Sequence, residues 1–374
     1  MAILKVLQVN KAYYPHTGGV EKHVQDVAES LRAFTDIEVE VLVAAADRHF
    51  SRETVNGVSV TRLPNFLTLS SAPIAPAFLW QLRKHKADIY HFHFPYPVAE
   101  LAYLLNGAPG KLVVTYHSDI VRQKSLLRAY HPFLLKFLEK AKLILTSSPN
   151  MISNSPYLSK FQDKCRVVPF AIDVDKFAAT PQVIEQAAER RRQYAGEKHL
   201  ILFVGRLVYY KGLKYLIEAM KSVDAVLIIV GEGELYSELR AQVELYGLAS
   251  RIKFLGWLDQ EELLRAYHAS DMLVLPSVAS SEAFGFVQLE AHACGKPVVS
   301  TDLPTGVPYA NLDGKTGLIV PPGNASELAR AMNLLIADEG LRSRLGTTAR
   351  ARVREHFTLK NMATELKQAY EDVL

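Results

Sequence analysis

Cysteine is scarce. Only Cys165 and Cys294 occur in 374 residues, far apart and without metal-ligand spacing, which excludes a disulfide framework or a thiolate metal site. No apolar run approaches the length of a membrane span. The opening residues, MAILKVLQVN, lack the charged start, long apolar middle and small-residue end of a secretory signal, so a reducing cytosol is expected. A dinucleotide fingerprint is also missing: Gly231 and Gly233 follow the strand-like run AVLIIV, but no third glycine stands at the required spacing. That counts against a nicotinamide-dependent oxidoreductase and leaves this loop as a structural turn. No Asp-x-Asp motif ends a strand-like run, so no metal and no cofactor is expected.

The chain is 49% hydrophobic and 22% charged, enough apolar material for two globular cores. Apolar runs of strand length alternate with amphipathic stretches of helix length, the pattern of βαβ units. In the first half the runs are ILKVLQVN, VEVLVAA, DIYHFHFP, KLVVTYHS, LILTSS and CRVVPF; in the second, LILFVGRL, AVLIIVG, IKFLG, DMLVLPS and PVVST. The fold class expected is α/β, two Rossmann-like doubly wound domains facing a cleft. Their boundaries are placed at residues 1–175 and 176–355, with 356–374 as a C-terminal helix that caps the second domain or crosses back to the first.

Ligands bind at the carboxyl ends of such strands, and three glycine loops stand there. In NKAYYPHTGGVEKHV, Gly18 and Gly19 precede a helix, where amides can approach an anion; a plain strand-to-helix turn reads equally well. In LFVGRLVYYKGLKY, Arg206 and Lys211 offer a planar fork and a point charge, a pair suited to a diphosphate. The third loop is the Gly231 turn already excluded as a fingerprint.

The segment SSEAFGFVQLEAHACGKPVV carries Glu282 and Glu290 in an otherwise apolar stretch. A helix starting near Phe284 or Gly285 separates them by up to ~12 Å, the scale of a nucleotide-sugar. The amides of Phe284, Gly285 and Phe286 would point at the diphosphate between. Buried carboxylates need partners, and the expectation is that ligand hydroxyls supply them.

The formal charge is +4, and Ile120 to Lys142 is the most basic amphipathic stretch: Arg122, Lys124, Arg128, Lys136, Lys140 and Lys142 against one interior acid, Glu139. Two readings stand side by side, a solvated helix face and a surface resting on anionic lipid. Pro132 is expected to break or start the helix.

The motifs GRLVYYKG, IVGEG, FLGWLD, LPSVASSEAFGFVQLEAHACGKPVV and GKTGLIVPPGN, with TGGVEKHV and VPFAIDVDKF upstream, resemble the retaining glycosyltransferases of family four, with the GT-B fold. The resemblance spans nearly the whole chain, and TYHSDIVRQK and TGVPYANLDGKTGL are similar to bacterial members that transfer mannose or rhamnose in polysaccharide assembly. It implies a metal-independent hexosyltransferase, working by a front-face route in which the leaving diphosphate helps take the acceptor's proton. It implies that Glu282 contacts the donor sugar, Glu290 the ribose, and Arg206 and Lys211 the diphosphate. Gly19 would approach the diphosphate or acceptor, and His117 would stand near the reacting sugar. Leu258 and Asp259 would read the base, guanine in particular, making GDP-mannose the expected donor. A saccharide acceptor linked to lipid, a peripheral position on the inner face of the cell membrane through Arg122 to Lys142, and no nucleic-acid partner complete the expectation. Phe170-Ala171 and Tyr309 depart from the family's usual Asn-Gly and glutamate. The alternatives are a transferase using a uridine sugar and a nucleotide-sugar binder without turnover.

Overall fold

The computed structural model describes residues 3–16, 18–69, 72–120 and 124–374. The chain divides into two compact units, Met1–Ala171 with Leu359–Leu374, and Ile172–Thr358. Both contain a mainly parallel sheet.

In the first unit the strands are β1 (Leu4–Val9), β2 (Ile37–Ala44), β3 (Ser51–Val55), β4 (Val58–Leu63), β5 (Leu67–Leu69), β6 (Ala72–Ile74), β7 (Ile89–Phe94), β8 (Lys111–Tyr116), β9 (Leu143–Thr146) and β10 (Cys165–Val167). Eight of them form one sheet in the order β10-β9-β8-β7-β1-β2-β4-β3, and β5 and β6 pair separately. Only β3 runs antiparallel in the large sheet, paired with β4 across Asn56-Gly57, both at positive φ. This Asn-Gly hairpin is absent from the sequence expectations although its turn chemistry was there to read. Strand β7, IYHFHF, alternates its side chains: Tyr90, Phe92 and Phe94 enter one core cluster. His91 and His93 therefore share the opposite face.

That opposite face is covered in part by the helix Leu359–Glu371, whose Met362, Ala363, Leu366, Ala369 and Tyr370 are buried with Val41, Val43 and Val113. Polar ties hold it as well, Lys367 to Asp36 and Arg166 Nη2 to Asp372 Oδ2 at 2.6 Å. The terminal segment thus belongs to the first unit. The boundary expected after residue 175 lies earlier, between Ala171 and Ile172. Ile172 donates its N–H to Phe357 O at 3.0 Å, and Phe177 packs edge-on to Tyr267, committing both to the second unit.

The basic stretch forms one helix, Lys124–Lys140, that continues through Pro132 rather than breaking or starting there. Tyr130, Leu134, Phe137 and Leu138 face the core, while Arg128, Phe133, Lys136 and Lys140 are exposed. Arg122 lies outside the described residues, as does the side chain of Lys124. Among the described residues, no helix is long and apolar enough to cross a membrane.

The second unit has β11 (His199–Val204), β12 (Ala225–Val230), β13 (Ile252–Gly256), β14 (Met272–Leu275), β15 (Val298–Thr301) and β16 (Gly317–Val320), all parallel, in the order β13-β12-β11-β14-β15-β16. Strand β12 is buried throughout, as its unbroken apolar run requires of an inner parallel strand. In each sheet the strand order reverses beside its first strand, between β1 and β7 and between β11 and β14. Such reversals open the crevice in which doubly wound folds bind ligands.

Candidate active site

At the β11/β14 reversal two loops pack on each other. Residues 205–212 follow β11 and residues 276–282 follow β14. Val278 N–H donates to Tyr210 O at 2.8 Å. Gly212 has φ +68°, and a Cβ there would stand 2.0 Å from Pro276 O, so only glycine permits this approach. The packing brings Lys211 Nζ to 2.6 Å from Glu282 Oε2, both side chains being buried. Ser277 Oγ donates to the same carboxylate oxygen at 2.9 Å.

The carboxylate of Glu282 therefore has protein partners, contrary to the expectation that a ligand alone would satisfy it. Glu290 is likewise partnered: the Tyr267 hydroxyl, wholly buried, donates to its Oε2 at 2.5 Å. Burial, and next the Glu290 charge, hold the Tyr267 phenol well above its ordinary pKa, so it remains the donor. Tyr267 went unnoticed in the sequence because it meets its carboxylate through the fold, and Ser277, five residues before Glu282, because the turn of its loop has no periodic signal. The helix begins at Phe286, with Gly285 as its cap at φ +78°, slightly later than expected. Phe284 is buried and Phe286 half-buried beside it. Arg206, by contrast, is exposed, its Nη2 donating to Tyr210 OH at 3.0 Å. The structure brings Lys211 and Glu282 into contact and keeps Arg206 on the same loop.

The Gly231 loop has the structural role expected of it. A Cβ on Gly231 would lie 2.2 Å from Gly205 O, and one on Gly233 2.5 Å from Leu207 O. These glycines admit the backbone of the Arg206 loop.

Asp259 is the N-cap of the helix Gln260–Ala269, its Oδ1 accepting from Glu262 N–H at 2.8 Å. This capping role alone accounts for an aspartate there. Leu258 is half-buried against the core and Trp257 is exposed. An Asp-x-Asp triplet does occur, Asp173-Val174-Asp175, away from any strand end. Asp173 Oδ1 accepts from Asp175 N–H, and its Oδ2 lies 3.6 Å from Lys176 Nζ. Tyr309 lies beneath Arg352, whose guanidinium carbon is 5.4 Å from the ring centroid.

In the first unit Gly19 opens the helix Gly19–Leu31 and is exposed, with Gly18 as an extended cap. His117, just past β8, is buried with His23 and His93. The rings of His93 and His117 stack with centroids 5.3 Å apart, and Phe170 tilts against His23 at 4.3 Å and His117 at 5.3 Å. Burial holds His23 and His91 down to about pKa 3 and drives His93 and His117 well below the usual range, so these imidazoles are neutral. One nitrogen from each of His23, His93 and His117 lies within 4.8 Å of the others, a grouping able to hold a metal ion. Two of the three rings, His93 and His117, are joined by a 3.0 Å hydrogen bond, while the buried Nδ1 of His23 has no hydrogen-bond partner among the described residues. The alternation of HFH in β7 was the signal for His93; nothing local pointed to His23.

Two family models match the chain, "Glycosyl transferases group 1" over residues 185–352 and "Glycosyltransferase Family 4" over 17–176. The D-rhamnosyltransferase WbpZ of Pseudomonas aeruginosa is 36% identical over 95% of this chain and 92% of its own. The O-antigen chain mannosyltransferase C of Escherichia coli is 32% identical over 99% of both. Among solved structures, sucrose-phosphate synthase from Thermosynechococcus elongatus has a TM-score of 0.81 at 23% identity over 99% of each chain. Anabaena HepE in complex with UDP has a TM-score of 0.79 at 21% identity, over 99% of this chain and 100% of that one. These two establish the fold as GT-B.

Proposed function

The chain belongs to the group 1 and family 4 glycosyltransferases, and from that premise we propose that it moves mannose from GDP-mannose onto a lipid-linked saccharide in polysaccharide assembly. The observation that carries this reading is the buried Lys211, Glu282 and Ser277 cluster at the β11/β14 reversal. The proposed roles follow from what each group can do. Lys211 and Arg206 take the donor diphosphate, and Lys211 turns from Glu282 toward the phosphate as negative charge develops on the leaving oxygen. Glu282, released in part from Lys211, accepts from hydroxyls of the transferred sugar. Glu290 takes the ribose hydroxyls while Tyr267 holds its carboxylate in place. The N-terminus of the helix Phe286–Ala293, with Phe284 and Gly285 before it, is the proposed seat of the diphosphate. Gly19 and His117 are the proposed contacts for the sugar and acceptor.

The configuration at the anomeric carbon is retained by a front-face route, without a metal or other cofactor. For the base, Leu258 and the backbone beside it are the proposed contacts. Asp259 contributes through whichever oxygen its cap leaves available, since guanine offers two adjacent donors and uracil does not. The two relatives described above, a D-rhamnosyltransferase and an O-antigen chain mannosyltransferase, support the sugar and the pathway class. The exposed basic face of the helix Lys124–Lys140 is the proposed seat on an anionic membrane surface.

Incubation with a panel of GDP- and UDP-sugars, following nucleoside diphosphate release in the presence of a lipid-linked saccharide, tests the donor. GDP-mannose should turn over fastest, and GDP should bind more tightly than UDP by calorimetry. Tighter UDP binding would transfer the assignment to a uridine sugar. Binding of a donor with no release under any acceptor would leave a binding protein.

A further inference from the structure

The buried face of β7 carries a polar chain of which the reaction scheme uses only the end, His117. His117 Nε2 lies 3.0 Å from His93 Nδ1, and His93 Nε2 lies 2.8 Å from Gln8 Oε1. The Gln8 amide nitrogen donates to the Tyr370 hydroxyl at 3.1 Å. That hydroxyl is 2.7 Å from His91 Nδ1, and His91 Nε2 is 2.6 Å from Thr115 Oγ1. Every member is buried.

The donors and acceptors in this chain can be assigned from one end. Gln8 Oε1 is an acceptor only, so His93 carries its proton on Nε2. A neutral imidazole holds one proton, which leaves His93 Nδ1 as an acceptor and requires the proton of His117 on Nε2. His117 Nδ1 is then an acceptor too. Beyond Gln8 its amide donates to Tyr370, whose hydroxyl is then able to donate to His91 Nδ1 and leave His91 Nε2–H for Thr115. Burial disfavours the charged form of all three imidazoles, which keeps the assignment in force through physiological pH.

We infer that Gln8 and Tyr370 are positioning residues which, through His93, fix His117 as the Nε2–H tautomer, so that its Nδ1 meets a sugar hydroxyl as a hydrogen-bond acceptor. The inference rests on the reading that His117 serves the transferred sugar. It gives the C-terminal helix Leu359–Glu371 a part in the reaction: Tyr370, its largest buried side chain, accepts from the Gln8 amide nitrogen, the pairing that leaves Gln8 Oε1 for His93. A reversed amide would invert every donor and present His117 as a donor instead, so the orientation of one side chain decides which kind of group the site accepts.

Long-range proton–nitrogen correlation spectra of the intact protein report the tautomer directly. His93 and His117 should both carry hydrogen on Nε2 at pH 7. Gln8→Leu removes the acceptor and should give mixed tautomers at both histidines. It should also lower kcat about tenfold, the worth of one hydrogen bond, with the donor KM within about twofold. Tyr370→Phe keeps the ring and removes only the hydroxyl, and should shift the same resonances. A purely structural role would lower the melting temperature without moving the tautomer. The inference is overturned if wild-type His117 carries its hydrogen on Nδ1. It is equally overturned if folded Gln8→Leu and Tyr370→Phe keep wild-type tautomers and turnover. His117→Ala separates the two readings: wild-type turnover in that variant removes His117 from the reaction, whatever its tautomer. Should Gln8→Leu fail to fold, the wild-type spectrum still decides.

Discussion

Lys211 and Glu282 hold each other at 2.6 Å where both are buried, and this changes what a substitution there does. Glu282→Ala leaves an ammonium buried without its counter-charge, a change that typically costs about 3–5 kcal/mol of stability, so lost activity in that variant would not isolate a chemical role. Glu282→Gln keeps the shape and an acceptor oxygen for Lys211. It too removes the counter-charge and should melt below wild type, but less so than Glu282→Ala because Lys211 keeps a hydrogen-bond acceptor. The folded variant should lose transfer by roughly 10²–10³-fold, the scale of losing one charged stabiliser in the transition state. Wild-type turnover in folded Glu282→Gln would remove this carboxylate from the reaction. At this scale the sequence showed which residue types stood at strand ends, but not which would meet. Glu282 and Glu290 were legible as carboxylates needing partners. Of their partners, Lys211 comes from a loop that the β11/β14 adjacency brings to Glu282, Ser277 from the turn of the loop Glu282 itself occupies, and Tyr267 from the helix Gln260–Ala269.

Among elements, strands were the most readable, because parallel strands buried on both faces appear as apolar runs. Those that escaped were β3 to β6, exposed or half-polar, and β16, whose four residues sit between polar turns. Periodicity found the helix around Pro132 but misjudged the proline. Position 132 is exposed, so its ring and missing N–H meet solvent rather than packed core. The same exposure shapes the membrane proposal. Tyr130, Leu134, Phe137 and Leu138 are taken up by the core, leaving Arg128, Lys136 and Lys140 around exposed Phe133 for a lipid surface. Near anionic lipid each cation contributes ~1 kcal/mol. Arg128→Ser/Lys136→Ser/Lys140→Ser should therefore weaken sedimentation with phosphatidylserine vesicles by about 10²-fold at low salt. Transfer to a lipid-linked acceptor should slow, and transfer to a soluble analogue should not. Equal sedimentation of variant and wild type would assign these cations to solvation alone.

For the whole molecule, the notable feature is how many histidines are buried neutral. His23, His91, His93 and His117 lie in the first unit, with the first two held to about pKa 3 and the others well below the usual range. Half-buried His268 and buried His292 lie in the second, at about 4 and about 3. Desolvation is the leading cause in all six. In the unfolded chain each returns to ~6.5, so between that pH and the folded values the unfolded state binds protons that the folded state refuses. The stability these groups contribute is fully present above pH 6.5 and is lost as pH falls toward their folded values, by up to ~1.4 kcal/mol per histidine for each pH unit. Glu100 opposes this. Burial raises it to about 7 despite hydrogen bonds from Tyr130 and Tyr96, so its contribution is present below about 4.5 and declines as pH rises through 7. One carboxyl against four imidazoles leaves the first unit acid-labile. Denaturant unfolding should show a midpoint at pH 5.5 well below that at pH 7.5. Where the two units unfold in separate steps, the first should fall further, carrying four such histidines against two. Glu100→Gln should steepen the dependence, because it removes the only opposing group named here. Identical midpoints at the two pH values would mean that the imidazoles titrate alike in folded and unfolded chains, and with that the neutral hydrogen-bonded chain from His117 to Thr115 would lose its basis.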